Sequence, residues 1–194
     1  MRNAKIARDV PELQPYLINV QDVLYKNFTK NILIEGVQGF GLDLMDANYY
    51  PHVTSQSTIA SQFCSDVGIG PRDVDNVYCC IKAFTTRVGT GSLTNEWNDE
   101  ERNKINERGT ISGRLRRVGD IDIEMTKKAL WANSANHLVI NSVDKIYSEI
   151  SGITEAKKIN KDIIFKYLEL KEKLDFEGRL YLGTGADYRC IVEV

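Results

Sequence analysis

Apolar residues recur at helical spacing over residues 11–28: Leu13, Tyr16, Leu17, Val20, Val23, Leu24 and Phe28. A stripe of that period predicts one amphipathic helix packed on a core. Residues 31–36 (Asn-Ile-Leu-Ile-Glu-Gly) form a short apolar run closed by glycine, the pattern of a buried strand in a mostly parallel sheet. From Gly36 to about Thr54 the chain is rich in Gly, Asp, Asn and Tyr and shows no period. Irregular stretches of this length inside a domain usually carry function. A short helix is predicted over 57–67. Residues 77–88 (VYCCIKAFTTRV) are β-branched and aromatic enough for a second strand. Residues 89–119 are charged, glycine-punctuated and aperiodic. Residues 123–136 then read as a helix, 137–143 as a third strand, 159–174 as an exposed helix, and 179–182 and 190–194 as short final strands. Strands ending in glycine-bearing turns and separated by helices predict an α/β class, with a mostly parallel central sheet flanked by helices in a single domain over 1–194.

Composition narrows the partners. Among 194 residues, 25 Lys and Arg face 27 Asp and Glu, for a formal net charge of -2. No overall field attracts nucleic acid or a membrane surface, and neither is expected as a partner. No stretch approaches the roughly 18 apolar residues of a membrane span, and the opening MRNAKIARDVPELQ lacks the apolar centre of a secretory signal. Cys64, Cys79, Cys80 and Cys190 show neither a C-x-x-C pair nor the Cys/His spacing of a zinc site. Reduced, mostly buried thiols in a cytoplasmic protein are expected. His52 and His137 lie near no nucleophile pattern, and no carboxylate pair compels an acid–base reading. No catalytic residue and no metal ligand is assigned to this chain.

Four motifs carry candidate chemistry, each placed where a strand gives way to a turn, the position at which open α/β sheets bind ligands. In the stretch from Arg108 to Gly119 (RGTISGRLRRVG), an extended backbone puts Arg114 and Arg116 on one side and Leu115 on the other. Two guanidiniums on one face form a fork for carboxylate or phosphate, and the Thr110 and Ser112 hydroxyls add neutral donors. The competing reading is a solvated basic loop paired with acids such as Glu107 and Asp120. The turn at 35–41 (EGVQGFG) presents Gln38, whose amide can donate and accept toward a base; alone, a glycine-rich turn is as easily structural. Asn141-Ser142-Val143-Asp144 closes the third strand, where a carboxylate can accept two N–H groups from a guanine edge or simply cap a helix around Lys145 and Ile146. Residues 181–187 (YLGTGAD) form a further strand-to-glycine turn, able to wrap a base or only to turn the chain. No G-x-x-x-x-G-K-[ST] phosphate cradle occurs anywhere.

Taken in order, IEGVQG, YYPHVTSQST, GIGPRDVDNV, IKAFTTRVGTG, GTISGRLRRVGDID, the strand ending in Asp144 and LGTGAD closely resemble the adenylosuccinate synthetase family, from about Asn31 to Asp187. The form of the arginine loop and the short spacing from Asp144 to Gly183 are more similar to the compact archaeal and viral branch. The resemblance implies a ligase of purine biosynthesis that uses GTP and Mg2+ to phosphorylate IMP and lets L-aspartate displace the phosphate. It implies that Gln38 and Thr54 contact the purine monophosphate, that Val88 and its neighbours border the ribose, and that Arg114 bridges IMP and aspartate. Thr110, Ile111, Ser112, Gly113, Arg114 and Arg116 would hold aspartate, with Arg116 also reaching the GTP phosphates. Ser142, Val143, Asp144, Gly183, Thr184 and Gly185 would hold the guanine.

Three positions depart from the family pattern: Ile111 for a threonine, Ser142 for a base-stacking lysine, and Gly183 for a serine. The last two leave ATP open as the co-substrate, as in viral relatives that join aspartate to dGMP. In the family, the phosphate loop, the catalytic Asp and His, the Mg2+ site and much of the homodimer contact lie upstream of the segment seen here. The resemblance therefore implies a C-terminal portion of a P-loop NTPase-like ligase fold. Such a portion binds its ligands but catalyses only with a complementary N-terminal polypeptide. A non-catalytic nucleotide-binding or regulatory protein is the other reading.

Overall fold

The computed structural model describes residues 6–44, 46–53, 56–109 and 113–194. Its centre is a four-stranded sheet in the order β1 (Tyr78–Lys82), β4 (His137–Asn141), β5 (Arg179–Gly183), β6 (Ile191–Glu193). The first three strands run parallel and β6 antiparallel. Alternation does not mark β4, which is covered on both faces: the consecutive residues Leu138, Val139 and Ile140 are all buried. Helices α4 (Ile123–Ala132) and α5 (Lys161–Lys173) supply Leu130, Ile163 and Tyr167 to the same core, so α5 packs one face on the sheet and is not the exposed helix expected over 159–174. The α/β class and the mostly parallel sheet are as the sequence predicts.

Local chemistry sets the helix ends. The Asp122 carboxylate accepts from the Met125 amide at 2.9 Å and starts α4. Asn160 does the same for Asp162 at the head of α5. Helix α2 (Ala60–Val67) stops at Gly68, which is left-handed at φ 76°. Asn133, just past α4, accepts the Ala60 amide at 2.8 Å and so fastens the start of α2.

Four further expectations need correction. The single helix over 11–28 is instead a 3-10 segment, Pro11–Tyr16, followed by a short α1, Val20–Lys26. Pro15 lies inside the first piece and disfavours helical geometry at Gln14, and Asn19 starts a new helix by accepting the Asp22 amide. Among the described residues no core lies beneath the apolar stripe, and Tyr16, Tyr25 and Phe28 are largely exposed.

The strand expected over 31–36 is unpaired among the described residues. A strand needs a neighbour about 4.7–4.9 Å away; this segment faces β1 across a cleft of about 1040 Å³.

The run 77–88 is not one strand. The chain bends at Ala83 and the buried Phe84 and enters a second sheet, where β2 (Thr85–Arg87) pairs antiparallel with β3 (Arg117–Gly119).

Within the aperiodic 89–119 stretch, α3 (Asp99–Ile105) begins with a reciprocal cap. Asn98 accepts the Glu101 amide and Glu101 accepts that of Asn98, each at 3.0 Å.

Candidate functional site

Strands β1, β4 and β5 end at the same edge of the sheet with Lys82, Asn141 and Gly183; Lys82 and Asn141 are register partners. Beyond β4, Ser142 adopts a left-handed conformation at φ 61°, which turns the chain into the Val143–Lys145 3-10 segment. Val143 is wholly buried and anchors that turn, leaving Asp144 partly exposed and Lys145 exposed. Gly183 packs directly on this corner, since a Cβ there would meet Asn141 Oδ1 at 2.8 Å and its Cα at 2.9 Å. Thr184 is fully buried, and its hydroxyl donates toward the Ile153 and Cys190 carbonyls at 2.5 and 3.1 Å. Its side chain therefore holds the Gly183–Gly185 turn, and only the turn's backbone remains for a ligand.

The arginine loop meets that edge through Glu107. One Glu107 carboxylate oxygen takes Lys82 Nζ at 2.5 Å and stands 3.8 Å from Arg116 Nη1; the other takes Lys145 Nζ at 2.5 Å. Its side chain is 12% exposed. Burial opposes ionisation, but the hydrogen bonds and charges of Lys145 and Lys82 outweigh it and hold the carboxyl below its ordinary value. The Arg116 amide donates to the Glu107 carbonyl at 2.8 Å. Among the described residues, the buried Nε of Arg116 has no partner. Three cations thus surround one carboxylate, an excess of positive charge suited to an anionic ligand.

Arg114 is exposed, and Gly113 is left-handed at φ 63° beside it. Arg108 steadies the loop by donating to the Gly113 carbonyl at 3.1 Å. Thr110, Ile111, Ser112 and Thr54, expected as ligand contacts, lie outside the described residues.

Gln38 sits elsewhere, left-handed at φ 74° on the wall of the large cleft, which Lys82 and Thr86 also line. Val88 is exposed on the turn after β2. That turn is held by Arg117, which grips Glu96 with two nitrogens at 2.8 and 2.5 Å and donates to the Gly89 and Gly91 carbonyls at 3.0 and 2.9 Å. The roles of Arg117, Lys82 and Lys145 escape a reading by motif. The signal for Arg117 is strand alternation, which sends neighbouring arginines to opposite faces. His137 is structural: it stacks on Tyr78 at 4.2 Å and its ring nitrogens meet Tyr181 Oη and Asn76 Oδ1 at 3.0 and 2.9 Å.

The sequence profile of adenylosuccinate synthetase matches residues 3–170 of this chain. The chain belongs to the adenylosuccinate synthetase family. It is 38% identical over 198 residues to the adenylosuccinate synthetase of Thermococcus sibiricus and 42% identical over 199 residues to that of Thermococcus onnurineus. Both alignments take in 100% of this chain and 58% of the relative, so the chain spans little more than half the length of these relatives. The fold is similar to that of the fully ligated Plasmodium falciparum adenylosuccinate synthetase, with a TM-score of 0.81 at 20% identity over 94% of this chain and 55% of that one. It is also similar to the cyanophage S-2L succinoaminodeoxyadenylate synthetase, solved with dGMP and dATP, with a TM-score of 0.69 at 18% identity over 96% of this chain and 53% of that one.

The adenylosuccinate synthetase family implies magnesium. Among the described residues, no three His, Cys, Asp or Glu side chains gather to hold a metal ion. No helix among them is long and apolar enough to cross a membrane.

Proposed function

We propose that this chain is the substrate-binding portion of a purine nucleotide ligase that joins L-aspartate to IMP with hydrolysis of GTP. The observation that carries the reading is the cation cluster of Lys82, Arg116 and Lys145 around Glu107, set at the carboxyl edge of the parallel sheet beside Asp144 and the Gly183 turn. In this reading Arg114 and Arg116 clamp the aspartate carboxylates, and Arg116 also reaches the triphosphate. Asp144 accepts from the guanine edge, and the backbone of the Gly183–Gly185 turn closes over the base. Gln38 and the cleft it lines take the purine monophosphate, with Val88 at its ribose.

The phosphate-binding loop, the magnesium site and the proton-transfer groups then come from the rest of the family's chain, joined to this one or separate. The open edge of β1 is where that portion docks. Val77 O accepts from His137 N and Ala83 N donates to Asn141 O, so alternation turns the backbone groups of Tyr78, Cys80 and Lys82 toward the cleft. An unpaired edge facing a cleft accepts an added strand. Catalysis by this chain requires that company, and a homodimer and a cytoplasmic setting follow by family.

Ser142, standing where the family stacks a lysine on the base, favours a second reading in which ATP replaces GTP and dGMP replaces IMP. Calorimetric titration of the chain with IMP, dGMP, GTP and ATP tests both. Binding of one purine monophosphate and one triphosphate supports a ligase portion and names its branch. A folded chain that binds none of the four contradicts it.

A further inference from the structure

Glu107 makes ionic contact with three separate elements. Lys82 is the last residue of β1, Lys145 follows Asp144 in the turn after β4, and Arg116 precedes β3. All three converge on one carboxylate that is 12% exposed, and the tightest contacts, both 2.5 Å, are to the lysines. Arg116 stands back at 3.8 Å with its Nε unpartnered among the described residues. Its backbone is nevertheless tied to Glu107 through the 2.8 Å amide-to-carbonyl bond. Arg116 is therefore fixed at its backbone, with its Nε donor open among the described residues.

We infer that Glu107 is a positioning residue that couples the two ligand subsites, so that a triphosphate seated on the Asp144–Lys145 turn tightens dicarboxylate binding at Arg116. The inference rests on the proposed ligase reading. A triphosphate that orders the turn fixes Lys145, and Lys145 fixes the Glu107 carboxylate. Glu107 in turn holds the Arg116 backbone, so the second ligand meets an arginine already in place. Coupling of this kind needs a physical link with differential contacts at both ends, and the Lys145–Glu107–Arg116 chain supplies it. Lys82 touches the same carboxylate but lies on β1, outside the path between the subsites.

The test is calorimetric titration of the full chain with L-aspartate in the presence of IMP, with and without saturating GTP. The readout is the ratio of the two dissociation constants. In the unaltered chain GTP is expected to tighten aspartate about 5-fold or more, the lower end of ordinary coupling. Glu107→Gln and Lys145→Met bring the ratio to about one, while Lys127→Met, which removes the ion pair to Asp175 away from the cluster, keeps it. Far-UV circular dichroism confirms that each variant is folded. A ratio that survives Glu107→Gln overturns the inference, as does a ratio lost equally in Lys127→Met, which marks a general loss of order rather than a specific link. Binding of both ligands with a ratio of one in the unaltered chain defeats the coupling alone. Binding of neither defeats the ligase reading and the coupling with it.

Discussion

Replacing Gly183 with alanine probes how closely the two turns at the carboxyl edge are fitted. The added methyl would lie 2.8 Å from Asn141 Oδ1 and 2.9 Å from Asn141 Cα. The side-chain oxygen can swing aside, but the Cα cannot. Asn141 is the register partner of Lys82 in β1, and its carbonyl accepts the Ala83 amide at 2.8 Å. Ordinary contact begins at 3.4 Å, so β5 must retreat from β4 by about 0.5 Å at its end. Overpacking of this kind costs roughly 1–3 kcal/mol. For a chain of this length that lowers Tm by roughly 2–12 °C. Urea unfolding followed by far-UV circular dichroism reads the loss. Calorimetry should show weaker triphosphate binding, because the displaced turn is the one proposed to close over the base. Gly39→Ala is the control: its methyl meets nothing nearer than Leu42 Cδ1 at 4.0 Å, and it should change stability by less than about 0.5 kcal/mol. A Gly183→Ala protein as stable as the control would refute the close fit of the two strand ends.

Ile140 is fully buried in the central strand, so Ile140→Ala should cost roughly 2–5 kcal/mol in urea unfolding. Glu107 bears on acid stability. Its folded pKa lies below the ordinary 4.5, so the stabilisation is complete above that value and is lost as pH falls through the lower folded value. Stability of the unaltered chain should therefore decline below about pH 5 with a Glu107 component that Glu107→Gln removes; an unchanged acid limb would count against the cluster. Burial pushes the Cys79 thiol up to about 11 and also raises that of Cys80, which is the more exposed of the two. Alkylation of the native protein at pH 8, followed by peptide mass spectrometry, should label Cys80 ahead of Cys79.

Elements whose signal is local were legible. The apolar run of β4, the helix after Asp122 and the glycine turn after β5 each rest on signals within a few residues, and the structure places them close to expectation. Elements decided by distant groups were not. The stripe over 11–28 has the right period, but Pro15 interrupts it and among the described residues no core lies beneath it. The run 31–36 has strand composition, yet across the cleft no described strand stands close enough to pair with it. Helix α3 carried a readable signal in Asn98 and Glu101, which the charge around it obscured. In the site, the arginine loop and the Asp144 turn were visible as separate motifs. Their junction through Glu107 was not, because Lys82 and Lys145 lie 25 and 38 residues from it and only the parallel sheet brings them together.

The most direct test of the ligase reading combines this chain with the segment of the Thermococcus sibiricus enzyme that it does not match. Formation of adenylosuccinate from IMP and L-aspartate is then followed with release of phosphate from GTP. The expected result is product from the mixture that depends on aspartate, none from either polypeptide alone, and loss of product in Arg116→Ala. Folded polypeptides that associate and still form no product with GTP and IMP, or with ATP and dGMP, would contradict it.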